Sequence, residues 1–281
     1  MDWGHKAMLT ATTISLLLTL AQLIGQRAAG AVAGLPMVTA PVLLYLATEQ
    51  GTSFAQIAAT GAVLSCSVNT VIALTYAMCA KRFGVMRSLP PAMTAGAAVM
   101  FVLHAHVDSL PIAAGLALIV CLCALMALSS DGGSFQGTTA SRGLLAARIA
   151  LIATVAGVIS ATLSLQAPAL GSIWSGLLAS APIAATLCAV FLHVTAGAAS
   201  VTRFYRGYLC GLIGQIVFGV VLALGLPALG VIGSFALALA AASAVSLAAT
   251  HVAALLGIRV DARANTFAAS GHSRDASAHV T

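Results

Sequence analysis

Residues 110–128, LPIAAGLALIVCLCALMAL, hold no charged side chain and no polar one beyond two cysteine thiols. Runs of this kind recur along most of the chain. About 20 such residues in a helix cross a hydrocarbon layer roughly 30 Å thick. Only 6% of the 281 residues are charged and 60% are hydrophobic, whereas a soluble domain carries about a quarter charged residues. So few charges cannot cover the surface of a water-soluble fold of this size. The runs are rich in Ala, Leu and Gly and lack a two-residue alternation, which selects helices over a membrane barrel. The sequence therefore specifies an all-α polytopic membrane helix bundle.

Nine spans are expected, near 8–25, 28–48, 54–80, 90–107, 110–128, 144–165, 171–193, 207–225 and 228–257. The last is long enough to contain two shorter segments, which would make ten. The run at 8–25 has features of a signal peptide, but in a chain of this composition it reads as a first span. The expected organisation is a first membrane unit at 1–109, a connecting helix and polar linker at 110–143, and a second membrane unit at 144–258. A polar tail at 259–281 is expected to be disordered.

The charges set an orientation. With the N-terminus outside, Arg27, Lys81, Arg82, Arg87, Arg142, Arg148, Arg203, Arg206, Arg259, Arg263 and Arg274 all fall on the cytoplasmic side. Only Lys6 falls outside, so the positive-inside bias favours N-out, C-in in a bacterial cytoplasmic (inner) membrane. The net charge of +6 sits at helix ends and forms no stripe, so no nucleic-acid partner is expected. The six cysteines lie in or beside apolar runs and read as small buried hydrophobes, with neither a disulfide framework nor a metal site implied.

Two of the apolar runs interrupt themselves in similar words. AGLPMVTAP spans 33–41 in the second run, and SGLLASAP spans 175–182 in the seventh. Proline inside a helix removes a donor and clashes with the carbonyl four residues back. In lipid a freed backbone group needs another partner, and Thr39 and Ser180 carry suitable hydroxyls. Matching Gly34 with Gly176 and Ala40-Pro41 with Ala181-Pro182 requires a one-residue gap. The next run in each case carries a carboxamide near its middle, Asn69 and Gln215. Spans 1–4 and 6–9 then read as an inverted repeat of two four-helix units, with span 5 as connector. Such repeats put a binding site between discontinuous helices near the membrane midplane. The expected substrate-binding residues are Gly34, Pro36, Thr39, Pro41, Asn69, Gly176, Ser180, Pro182 and Gln215. The competing explanation is a pair of proline kinks with carboxamides joining helices.

Ionisable groups near the ends of spans are candidates for proton coupling: Glu49 in LATEQG, His104 and Asp108 in HAHVD, and His193. HAHVD also resembles the H-x-H-x-D stretch of metallo-β-lactamase-like hydrolases, but Ser109 follows where a histidine belongs, and no metal is expected. Gly30-x3-Gly34 and Gly207-x3-Gly211 allow close helix contact and are expected to pack the units together.

The stretch AGLPMVTAPVLLYLATEQGTSFAQIAATGAV resembles the small four-helix bacterial inner-membrane proteins of the GlpM type, which carry an AGL stretch, prolines and a turn with Glu and Gly. Over about 35 residues, this resemblance implies a duplicated relative and carries no substrate with it. The expected function is secondary transport of a small solute, neutral or a monovalent anion, by alternating access. The alternative is a non-transporting membrane subunit or assembly factor. There is no P-loop, H-E-x-x-H motif or nucleophile–base pair, so neither enzyme activity nor a cofactor is expected. The expected partners are the lipid bilayer and a small-molecule substrate, and the composition is compatible with a homo-oligomer.

Overall fold

The computed structural model describes residues 26–107, 109–128 and 171–275, and the isolated positions 8, 12, 154 and 169. Spans expected at 8–25 and 144–165, the polar linker, Lys6, Asp108, Arg142 and Arg148 lie outside the described residues. Among those described there are helices and no strand. They are α1 (Gln26–Gly34), α2 (Thr39–Glu49), α3 (Thr52–Ala80), α4 (Val85–His106), α5 (Leu110–Ala127), α6 (Ser172–Ala179) and α7 (Ile183–Asp275). Five stretches, Gln26–Glu49, Thr52–Ala80, Val85–His106, Leu110–Ala127 and Ser172–Ala253, are long and apolar enough to cross a membrane. Helices of this length and composition are compatible with a membrane protein.

Glycines set the turns. Gly51 precedes α3 with φ +91° and Gly171 precedes α6 with φ +98°. An L-residue with a Cβ is strained in that region, and glycine is not. α7 is not one rod. Non-helical backbone at Gly197 (φ 77°) and Gly230 (φ 65°) divides it into arms at 183–196, 198–229 and 231–275. The middle arm runs well beyond the expected span at 207–225, because Arg203 and Arg206 are accommodated inside the helix. α4 starts at Val85, ahead of the expected residue 90. Pro90 and Pro91 lie near its first turn, where the Thr94 hydroxyl donates to both proline carbonyls. The backbone of the last arm continues helical to Asp275, through residues expected to be a disordered tail.

α3 is the hub. It is apolar on every side and buried along most of its length, as a helix surrounded by others must be. It contacts α2, α4, α5, α6 and α7. α4 and α5 lie at the periphery with Phe101, Ile112, Ile119 and Met126 exposed, as side chains facing lipid are. α3 and the middle arm of α7 run antiparallel. Tyr76 near the end of α3 meets Tyr205 near the start of the arm, while Gly219 sits against Ala59 and Val63. Helix direction then separates the charges. Arg27, Lys81, Arg82, Arg87, Arg203 and Arg206 lie toward the end of the bundle that holds Gly197. Glu49, His104 and His106 lie toward the end that holds Gly51.

Candidate functional site: two facing helix breaks

Both interruptions expected from the sequence exist, and their backbones are built alike. α1 stops at Gly34 and α2 begins at Thr39; α6 stops at Ala179 and α7 begins at Ile183. At the first break Leu35 N–H donates to Val32 O at 3.1 Å, Met37 N–H to Leu35 O at 2.7 Å and Ala40 N–H to Pro36 O at 2.8 Å. At the second, Ala181 N–H donates to Leu178 O at 3.2 Å, Ile183 N–H to Ala181 O at 2.9 Å and Thr186 N–H to Pro182 O at 2.8 Å. Each residue of one set lies 146 positions from its counterpart, as Pro36 does from Pro182. The proline that matches Pro182 is therefore Pro36, not Pro41. Pro41 is the third residue of α2, where a first-turn N–H has no intrahelical acceptor to lose. The expected pairing of Gly34 with Gly176 shifts likewise: Gly30 stands 146 before Gly176, and Ser180 stands 146 after Gly34.

The breaks face each other. Thr39 Oγ1 and Ser180 Oγ are 3.2 Å apart, and the Thr39 hydroxyl also lies 3.5 Å from Ala179 O. The carboxamides bind them crosswise. Asn69 of α3 donates through Nδ2 to Ser180 O at 2.9 Å, in the break between α6 and α7. Gln215 of the middle arm donates through Nε2 to the Thr39 hydroxyl at 3.4 Å, in the break between α1 and α2. Asn69 and Gln215 are themselves 146 positions apart. All four side chains are buried, Asn69 with 2% of its surface exposed, and its Oδ1 has no partner. Such a group costs roughly 1–3 kcal/mol when left without a partner in a protein interior.

A cavity of about 40 Å³ opens between the breaks, room for a few water molecules. Thr39, Ser180, Pro182 and Gln215 line it, together with Tyr208. Among the described residues, no charged side chain lines it. Two compact apolar clusters flank the polar centre. One gathers Leu43, Leu46, Phe218 and Leu222 toward the Gly51 end. The other gathers Tyr76, Leu192, Phe204 and Tyr205 toward the Gly197 end.

Gly34 and Gly176 serve packing. A Cβ on Gly34 would overlap the backbone of Tyr208 and Gly211, and one on Gly176 the carbonyl of Ala58. Gly30 meets the Phe204 carbonyl, Gly207 that of Arg27 and Gly61 that of Ile173. The two GxxxG stretches thus lie face to face, α1 on the middle arm of α7. The contact of α6 with α3 repeats the same geometry: Ala58 and Phe204, like Arg27 and Ile173, are 146 positions apart.

The proposed proton-coupling residues are not brought together. Glu49 is exposed at the end of α2. His104 lies on Trp174 of α6, ring centroids 4.6 Å apart. His193 is at the opposite end, where its Nδ1 is 3.1 Å from the Tyr76 hydroxyl. That contact opens onto a feature the sequence reading missed. Rings of Tyr76, Tyr205 and Tyr208 follow one another at 6.1 and 6.0 Å, leading from His193 to the cavity wall. The available signal was FYRGY, which places Tyr205 and Tyr208 one turn apart on one helix face. Positions 146 away from these tyrosines are Leu222, Ala59 and Ala62, so the aromatic column has no equivalent toward the Gly51 end.

Compared with known protein families, curated proteins and solved structures, the chain matches none.

Proposed function

We propose that the protein is a secondary transporter that carries a small solute by alternating access. Its two four-helix units form an inverted repeat related by 146 positions, within nine spans, with the arginine-rich end in the cytoplasm and the N-terminus outside. The observation that carries the reading is the meeting of two equivalent helix breaks at a buried polar cavity, each held by a carboxamide from the other unit. Discontinuous helices pointing at one central site are the architecture from which repeat units rock. The antiparallel course of α3 and the middle arm of α7, whose residues correspond, supports inversion. Glycine hinges at Gly51 and Gly197, 146 positions apart, supply a flexing point after each broken helix. The resemblance to GlpM-type proteins fits a duplicated four-helix ancestor.

Thr39, Ser180 and Gln215, which line the cavity, are the substrate-binding groups in this reading, with Asn69 holding Ser180 in place and Pro36 and Pro182 setting the breaks. A cavity of this size without charged walls suits a neutral solute or a monovalent anion of a few heavy atoms. Glu49, His104 and His193 remain candidates for coupling to protons, through separate ends of the path. Purified protein in liposomes, diluted into iso-osmotic urea, formamide, sodium formate or sodium nitrate, tests the reading by light scattering. Swelling faster than in protein-free liposomes for at least one probe, and lost in Asn69→Leu and Gln215→Leu, is expected. Equal swelling with and without protein for all four probes would overturn it.

A further inference from the structure

We propose that Tyr205 and Tyr208, with the Asn69 carbonyl oxygen, form a second subsite for the solute between the cavity and the Gly197 end, and that it takes a neutral solute carrying both a hydrogen-bond donor and an acceptor, such as a small amide. This subsite deepens the transport reading and rests on it. Two polar atoms beside the cavity are buried without a partner, Asn69 Oδ1 and Tyr205 Oη. Tyr208 links them. It lines the cavity, its hydroxyl interacts with the Asn69 carboxamide, and its ring centroid is 6.0 Å from that of Tyr205. The Asn69 carboxamide is held at the same wall from Ser180, which also lines the cavity and whose carbonyl accepts from Nδ2. Beyond Tyr205 the column continues to Tyr76, whose hydroxyl is 3.1 Å from His193 Nδ1 and closes the series at its far end.

Packing does not account for the Tyr205 hydroxyl. The residue is 1% exposed, and buried hydroxyls are normally hydrogen-bonded. Phenylalanine would make the same ring contacts without the cost of an unpaired polar group. The repeat does not account for it either. Positions 146 away from Tyr76, Tyr205 and Tyr208 are Leu222, Ala59 and Ala62, all buried in the apolar cluster toward the Gly51 end. The same backbone frame therefore packs without hydroxyls on one side of the cavity and with three on the other. The unpaired atoms set the class of solute. A carboxamide oxygen only accepts, whereas a phenol both donates and accepts. A solute moving from the cavity along the column satisfies both when it offers a donor to Asn69 Oδ1 and an acceptor to Tyr205 Oη. Formamide and urea do so. Formate and nitrate only accept, and the carboxamide oxygen opposes them.

Fluorine resonances read the column directly. The chain has four tyrosines, Tyr45, Tyr76, Tyr205 and Tyr208, so full-length protein labelled with 3-fluorotyrosine is assigned by single Tyr→Phe variants. In neutral detergent it is titrated with formamide, urea, sodium formate and sodium nitrate. Saturable shifts at Tyr205 and Tyr208 are expected with formamide or urea and with neither salt, while Tyr45, packed toward the Gly51 end, drifts linearly. Tyr205→Phe keeps the ring and removes the unpaired hydroxyl. It is expected to raise the half-shift concentration at Tyr208 roughly three- to tenfold, as one lost hydrogen bond does, with resistance to unfolding by sodium dodecyl sulfate unchanged or improved. Saturable amide shifts without liposome swelling support the subsite and refute transport. Liposome swelling without saturable shifts overturns the subsite and leaves transport standing. Neither swelling nor saturable shifts overturns both. Saturation by formate or nitrate, or an unchanged half-shift concentration in Tyr205→Phe, overturns the subsite whatever the swelling.

Discussion

Replacing Thr39 with valine removes one hydroxyl and almost no volume, yet that hydroxyl joins both helix breaks. It lies 3.2 Å from Ser180 Oγ, 3.5 Å from Ala179 O and 3.4 Å from Gln215 Nε2. Thr39→Val strands the Gln215 donor and leaves the Ser180 hydroxyl without its partner across the breaks, in a site where Thr39 is 4% exposed. Stranding a buried polar group costs about 1–3 kcal/mol, whereas hydrogen bonds between membrane helices average about 0.6 kcal/mol. The long contact distances favour the lower figure for each bond, so the variant is expected to lose about 1–2 kcal/mol. Ser180→Ala removes the same central contact from the other side and is expected to cost about 1 kcal/mol. Because both variants delete one shared bond, the double variant should lose less than their sum, by about 0.5–1 kcal/mol. Reversible unfolding by sodium dodecyl sulfate in mixed micelles measures all three. Additivity within about 0.3 kcal/mol would mean that the breaks do not touch, and the geometry of the central site would be wrong.

Other consequences follow from the same contacts. Gly176→Leu and Gly207→Leu should each cost at least about 1–3 kcal/mol through overpacking, because a side chain there overlaps the carbonyls of Ala58 and Arg27; the same unfolding titration reads it. Gly51→Ala and Gly197→Ala should each cost about 1–2 kcal/mol although open space surrounds both positions, since the penalty lies in the left-handed backbone. A Gly115→Ala control, also in open space but inside α5, should be neutral or stabilising. Tyr76→Phe removes the partner of His193 Nδ1 and should destabilise by about 1 kcal/mol, while Tyr76→Phe in a His193→Ala background should cost much less.

The breaks were legible because proline has a local consequence that no tertiary contact erases. Which proline mattered was not legible. Pro36 and Pro41 both interrupt the pattern by composition, and only the hydrogen bonds of Leu35, Met37 and Ala40 reveal that the chain turns at the first. Matching the two breaks by their most similar words introduced a gap. The gapless correspondence rests on scattered positions, Gly30 with Gly176, Pro36 with Pro182, Gly51 with Gly197, Gly61 with Gly207, and Gly84 with Gly230. Each of these either turns the backbone or lets two helices touch; between them, any apolar side chain faces lipid or core equally well, and identity is lost. Asn69 and Gln215 stood out because carboxamides are rare in such runs, and both proved to bind the opposite break. The tyrosine column was hidden for the opposite reason. It is assembled from helices far apart in sequence, and nothing in the local pattern of Tyr76 names its partner.

Alternating access at the facing breaks makes the most direct demand on Ser180. In a background with the six native cysteines replaced, Ser180→Cys can be exposed to a membrane-impermeant sulfonated maleimide in right-side-out vesicles and, separately, in inverted ones. A site that opens to each side in turn is expected to be labelled in both. Labelling of Ser180→Cys from one side alone, or from neither, would contradict alternating access and leave the paired breaks as a purely structural joint.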